Sequence, residues 1–313
     1  MATNDNDKNT KKPAEISDAV RRLARVIVWG GTALIIFIVF FVNFWRSERK
    51  SVATEPAGIV IMGDSIFANT YDETSVASML AEKIGTQITD VSFGGSCMSY
   101  IDKDARLDYS TDAFCMAALT QAMLAEDFRY QENANINLNA TEYFEARIEV
   151  LKHIDFSGTD ILIINHLLND YQIAVPVKSE SNPYDEYTFE GAYRSVISSI
   201  KKKYPNLRII LVTPVKTWYG EDRIPSTEMD IGGGTIDVYL DCQKAIAEEF
   251  DNEWISMMDL YDNAVAENPE LLKDEDGNDI EMWAAFTQDI VHPNKAAREM
   301  IAECIYEYIA NGD

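Results

Sequence analysis

Ser65 and the group Asp289-Ile290-Val291-His292 are the residues of this 313-residue chain whose types and spacing best suit covalent chemistry. Ser65 follows an apolar, β-branched run, Gly58-Ile59-Val60-Ile61-Met62, through the turn Gly63-Asp64-Ser65, and a helix-like stretch comes next. Such a run reads as a buried strand of a parallel sheet. Open α/β sheets build their sites at the carboxyl ends of strands, where this hydroxyl falls. A serine hydroxyl is a weak nucleophile until an adjacent base takes its proton. The chain has three histidines. His153 closes an amphipathic helix and reads as a surface or structural residue; His166 follows the third strand and reads as a rim residue. His292, with Asp289 three positions earlier and Pro293 after it, is the candidate base. Asp289 would orient its imidazole and stabilise the imidazolium as it forms.

Acyl transfer also needs donors for a developing oxyanion. Ser92-Phe93-Gly94-Gly95-Ser96 closes the second strand, and glycine there lets backbone N–H groups approach a substrate. Asn165-His166-Leu167-Leu168-Asn169-Asp170 closes the third and supplies an amide side chain. Each piece alone reads as a turn or helix cap. Their weight comes from all falling at strand ends of one sheet, or just before the last helix.

The elements that must position these residues alternate. Strands are expected over 58–62, 86–93, 160–165, 207–213 and 254–259, and helices over 71–84, 141–153, 188–203, 235–250 and 294–310. This alternation implies an α/β, doubly wound, five-stranded parallel sheet whose right-handed crossovers bring the loops to one edge. Residues 95–141 interrupt it with a helix-like segment at 114–126 and an Asn-rich one at 131–139, expected to wall the site. A second long loop, 218–234, ends in Gly232-Gly233-Gly234 without a following Lys-Ser/Thr, which argues against a phosphate-cradling loop. It is expected as a flexible rim leading into a helix capped by Thr235. Asp274-Glu275-Asp276-Gly277 lacks the first Asp and closing Glu of a calcium loop and reads as a turn.

Composition bounds the partners. The formal charge of -25 argues against nucleic acid, which needs a basic face. Residues 1–50 hold nine Lys and Arg against five Asp and Glu, leaving 18 basic against 47 acidic residues for the rest. Between the two parts, Val26 to Trp45 runs twenty residues without a charge, with Trp29 and Trp45 toward its ends. That is the signature of a transmembrane helix rather than a buried globular helix or a cleaved signal peptide. Six Lys and Arg precede the span and three follow it, which sets the N-terminus in the cytoplasm and the acidic part outside. The organisation read is a disordered cytoplasmic tail (1–25), a transmembrane helix (26–45), a tether (46–56) and an extracytoplasmic domain (57–313). Cys97, Cys115, Cys242 and Cys304 allow two disulfides in such a compartment, or four buried thiols.

Gly63-Asp64-Ser65, Gly95, Asn169-Asp170 and Asp289-x-x-His292-Pro293, in that order, resemble the four blocks of the SGNH (GDSL-type) hydrolase superfamily. The resemblance spans roughly residues 57–310. It implies a flavodoxin-like three-layer α/β/α sandwich, with Ser65 as nucleophile, His292 as base and Asp289 behind it. It implies an oxyanion hole made by the Ser65 and Gly95 N–H groups and the Asn169 side chain, and no metal or organic cofactor. Asp64, Asp170, His166 and Leu167 are expected at the substrate rim. Leu167 stands where the family usually has glycine, and its side chain is expected to narrow the pocket or shift Asn169. Ala296-Ala297 replace a frequent glycine and read as helix continuation. The function so implied is an extracytoplasmic serine esterase, single-pass in the membrane, hydrolysing acyl esters such as acetyl on cell-surface glycans. An O-acyltransferase acting on such glycans and a catalytically silent surface-binding module are the alternatives.

Overall fold

β1, Ile59–Gly63, is buried along its whole length, as expected of a strand covered on both faces. The computed structural model describes residues 58–101, 110–137 and 143–312. Around β1 stand β2 (Ile88–Asp90), β3 (Ile161–Asn165), β4 (Arg208–Val215) and β5 (Glu253–Met257), every pair parallel, in the order β2-β1-β3-β4-β5. β1 and β3 run in register from Ile59↔Ile161 to Gly63↔Asn165, so Gly63 and Asn165 end side by side at the carboxyl edge. The β4–β5 ladder shifts between Val212 and Val215. Pro214, which lacks an N–H, sits in that shift, and the Thr213 hydroxyl accepts the Met257 N–H at 2.8 Å.

The helix Val76–Ile84 packs against the C-terminal helix Lys295–Asn311; Met116–Ala125, Phe189–Lys203 and Ile236–Glu249 pack in a second group. Together they give the three-layer arrangement expected of a doubly wound sheet. Local chemistry moves the helix starts. The stretch expected to be helical from residue 71 begins at Val76, because the Asp72 carboxylate turns the chain by accepting the Thr74 N–H and Ser75 caps the helix through Ser78. Thr235 stands at the N-cap position of Ile236–Glu249, but its side chain makes no capping bond.

The 95–141 interruption is more helical than expected. Arg129–Asn137 is a helix that takes in most of the Asn-rich stretch, and the buried Gln131 amide donates to the Ala113 carbonyl at 2.8 Å. The loop 218–234 contains an antiparallel pair, Trp218–Tyr219 with Ile224–Pro225. The 274–277 segment is a turn, with Gly277 at φ 82 and the Asp274 carboxylate accepting the Asp276 and Asn278 N–H groups. All four cysteines are free thiols. Cys115 instead caps its own helix, its Sγ accepting the Ala118 N–H at 3.4 Å. Among the described residues no helix is long and apolar enough to cross a membrane; the span expected over 26–45, like the tail and the tether, lies outside them.

Candidate active site

Ser65 opens the short helix Ser65–Ala68 directly after β1. Asp64 makes the turn: its N–H donates to the Asn165 carbonyl at 3.1 Å and its carboxylate accepts the Ile66 N–H at 2.9 Å. Gly63 leaves no room for a larger residue, since a Cβ there would lie 3.2 Å from the Asn165 carbonyl and 3.2 Å from the Ser92 hydroxyl. The turn is therefore pressed against β3 on one side and the β2 loop on the other. Ser65 itself is half-buried, and its N–H points out of the first turn without a described partner.

The β2 loop comes to the same place. The Phe93 N–H donates to the Gly63 carbonyl at 2.9 Å, and a Cβ on Gly94 would fall 3.8 Å from the Ser65 Cβ. Gly95 follows at φ 76, a left-handed conformation that glycine adopts without strain, and it is exposed. Its N–H has no partner among the described residues. The Asn169 amide donates to the Ser96 carbonyl at 2.9 Å, which brings the β3 loop onto the β2 loop and leaves one amide hydrogen over. Ser65, Gly95 and Asn169 thus fall in one cluster of loops with three hydrogen-bond donors to spare.

His292 and Asp289 form the other half. The Asp289 carboxylate accepts the His292 Nδ1–H at 2.7 Å and the Val291 and His292 backbone N–H groups at 3.1 and 2.8 Å. Burial pushes the Asp289 pKa up, but the His292 N–H, the imidazole and the Val291 N–H outweigh it and hold the carboxyl below its ordinary value. The side chains are 24 % (His292) and 54 % (Asp289) exposed, so the pair faces solvent. The loop is tight enough to force Ile290 to φ 85, a strained conformation for a β-branched residue. Its frame is specific: the Thr287 hydroxyl accepts the Ile290 N–H at 3.0 Å, and the Ile290 carbonyl accepts the Trp218 N–H at 2.9 Å. Trp218 follows β4, so this bond ties the histidine loop to the carboxyl edge of the sheet. Arg298 adds a second tie, its guanidinium donating to the Pro293 and Thr74 carbonyls at 2.8 and 2.7 Å and so joining the histidine loop to the loop after Ser65. Among the described residues no hydrogen bond joins the Ser65 hydroxyl to the imidazole.

The four residues expected at the rim are instead buried beneath it. Asp64, His166, Leu167 and Asp170 are each almost wholly covered. Asp170 accepts the Met98 and Ser99 N–H groups at 2.7 and 3.1 Å and the Ser99 hydroxyl at 2.5 Å, fastening the chain just past Gly95. Burial lifts the Asp170 pKa to about 6 against those bonds, and lifts that of Asp64 to about 7 with the Asp170 charge adding to it. Burial drives the His166 pKa down to about 4, and the imidazole stays neutral. His166 is buried, which removes its imidazole from any solvent-facing role, and its backbone carbonyl accepts the Tyr193 hydroxyl. Leu167 lies at φ -178, outside the left-handed region that favours glycine, and its side chain joins the core rather than narrowing a pocket or displacing Asn169. His153 is on the surface, its Nδ1 2.7 Å from the Glu149 carbonyl.

Sequence reasoning missed Tyr143, whose hydroxyl accepts the Gly94 N–H at 2.9 Å, and the frame of Trp218, Thr287, Ile290 and Arg298. Tyr143, Trp218 and Arg298 act through partners distant in sequence and Ile290 through backbone strain, and the local Thr287–Ile290 bond matters only within that frame. A cleft of about 590 Å³ lies at the opposite, amino-terminal edge of the sheet beside Gly58, Gln87, His153 and Thr159, and none of Ser65, Gly95, Asn169, Asp289 and His292 lines it.

The profile of the GDSL-like Lipase/Acylhydrolase family matches residues 59–305, a span that contains Ser65, Gly95, Asn169, Asp289 and His292. The chain belongs to this family. Its fold recurs in solved structures of low sequence identity. A protein from Lactobacillus plantarum is 16% identical with a TM-score of 0.53, covering 82% of this chain and 98% of its own. A possible lipase from Chitinophaga pinensis is 16% identical with a TM-score of 0.50, covering 82% and 98%. At such identities the likeness extends to the fold alone. No curated protein matches the chain.

Proposed function

We propose that this GDSL-family protein is a serine ester hydrolase with Ser65, His292 and Asp289 as its catalytic triad. The observation that carries the reading is the 2.7 Å Asp289–His292 bond, held in a loop that Trp218 fastens to the sheet edge where Ser65 stands. His292 Nε2 takes the proton as Ser65 Oγ attacks the ester carbonyl, and Asp289 stabilises the imidazolium through Nδ1–H. The Ser65 and Gly95 N–H groups and the remaining Asn169 amide hydrogen receive the developing oxyanion. Collapse expels the alcohol with the proton from His292; water then attacks the acyl-serine by the same route and releases the acid.

The charge asymmetry and the apolar run 26–45 support placing this activity outside the membrane on a single anchor, with the N-terminus in the cytoplasm. That location favours acyl esters of cell-surface glycans, acetyl esters first among them. The test is hydrolysis of a short-chain aryl ester by the full chain and by Ser65→Ala. Loss of turnover in a folded Ser65→Ala protein supports the reading, and retained turnover removes it. If neither protein hydrolyses the ester while an added glycan becomes acylated, the chain is a transferase.

A further inference from the structure

The helix Tyr143–Lys152 reaches the site through its first residue, whose hydroxyl accepts the Gly94 N–H at 2.9 Å from 49 positions along the chain. Gly94 does not owe its glycine to backbone conformation: unlike Gly95, at φ 76, it has no positive φ. It owes it to space, because a Cβ there would fall 2.8 Å from the Tyr143 hydroxyl and 3.8 Å from the Ser65 Cβ. Only a residue without a side chain lets the phenol reach this N–H. The neighbouring residues meet as well. Phe144 packs edge-on against Phe93, with centroids 5.1 Å apart and planes at 89°, and both rings also contact Phe114. Tyr143 and Phe144 thus hold Gly94 and Phe93 as a pair, one by a hydrogen bond and one by packing.

We propose that Tyr143 is a positioning residue for the oxyanion side of the site: its hydroxyl fixes the Gly94 peptide so that the next donor, the Gly95 N–H, is presented to the tetrahedral oxygen. The proposal rests on the serine-esterase reading of Ser65 and adds the group that steadies one of its donors. Two successive glycines make a mobile backbone. A donor stabilises developing charge only to the extent that it is aimed before the reaction begins. Gly95 is exposed and its N–H has no partner among the described residues, so its direction is set by the peptides on either side. On the far side the Ser96 N–H donates to the Phe93 carbonyl at 3.2 Å, and the Ser96 carbonyl accepts the Asn169 amide. On the near side the hold is the Tyr143 hydroxyl. Tyr143 acts through Gly94 and has no need to touch the substrate.

The experiment is Tyr143→Phe in the full chain, which removes one oxygen and keeps the ring against Tyr71 and Phe144, at centroid distances of 4.8 and 4.9 Å. Two quantities are read: kcat and KM for phenyl acetate, and Kd for methylboronic acid. The boron takes a bond from Ser65 Oγ as the serine proton passes to His292, giving a tetrahedral boronate with an oxygen at the oxyanion position. In Tyr143→Phe, kcat should fall about tenfold with KM within about twofold of wild type, and the boronate Kd should rise about tenfold, the size of one neutral hydrogen bond. If Tyr143 only steadies its helix, Tm falls while kcat and the boronate Kd stay within about twofold, and that result overturns the proposal. Gly94→Ala breaks the same bond from the other side, through a Cβ 2.8 Å from the hydroxyl, and carries the test if Tyr143→Phe does not fold. The two changes together should lose no more than the worse of them alone, and losses that multiply also overturn the proposal. A wild type that hydrolyses no ester, yet binds the boronate with this dependence on Tyr143, sinks the esterase reading alone. Hydrolysis that does not respond to Tyr143→Phe sinks the positioning role and leaves the esterase standing.

Discussion

Asp289→Asn separates the electrostatic part of the histidine loop from its architecture. The amide oxygen of the substituted side chain can keep accepting the Val291 and His292 N–H groups, now held at 3.1 and 2.8 Å, so the loop should survive. What goes is the negative charge facing Nδ1 at 2.7 Å and the acceptor that fixes the tautomer. A unit charge about 4 Å from the imidazolium is worth about 1 kcal/mol in water and about 4 kcal/mol at an effective dielectric near 20. Asp289 is 54 % exposed, which places this pair in the lower half of that range. The expected loss in kcat/KM is therefore about 10- to 100-fold, smaller than for a triad whose acid is buried. The assay is steady-state hydrolysis of a short-chain aryl ester, with Tm measured on the same samples. Turnover within about twofold of wild type would show that Asp289 does not act on His292 during catalysis. A large fall in Tm would show that the charge holds the loop together instead.

Other perturbations follow from the same geometry. Asn169→Ala should lower kcat by about 10²- to 10³-fold if the free amide hydrogen meets the oxyanion, and an unchanged kcat would take Asn169 out of the hole. Gly63→Ala should destabilise the chain measurably in thermal melts, because a Cβ 3.2 Å from the Asn165 carbonyl must push apart two paired strands; an unchanged Tm would contradict that packing. The raised pKa values of Asp64 and Asp170 mean that the unfolded chain releases protons near pH 4 while the native chain holds them until about 7 and about 6. Their contribution to stability is thus fully present below the unfolded value and declines as pH rises through that window. Asp64→Asn, which keeps an oxygen for the Ile66 N–H, should flatten the fall in Tm between pH 4 and 7, and an unaltered slope would refute the assignment.

The sequence alone determined what local patterning can determine. Five strands follow from short apolar, β-branched runs, and the positions of Ser65, Gly95 and Asn169 in the loops after three of them, and of the Asp289–His292 pair before the last helix, from the turn residues there. A parallel sheet buried on both faces leaves little freedom in such a chain, because right-handed crossovers send every loop after a strand to the same edge. Tertiary structure decided what those loops do with their side chains. Nothing near Leu167 says whether it faces substrate or core; the hydrophobic layer beneath β3 draws it inward and lets Asn169 reach Ser96. His166 and Asp170 look like site residues by position and become supports by burial. Four cysteines permit bridges by number, yet Cys115 turns toward its own helix. The Trp218 N–H that holds the histidine loop lies far along the chain from Ile290, and the strain at Ile290 exists only because both ends of that loop are fixed elsewhere. Contacts of this kind join residues far apart in the chain, and only folding brings them within hydrogen-bonding reach.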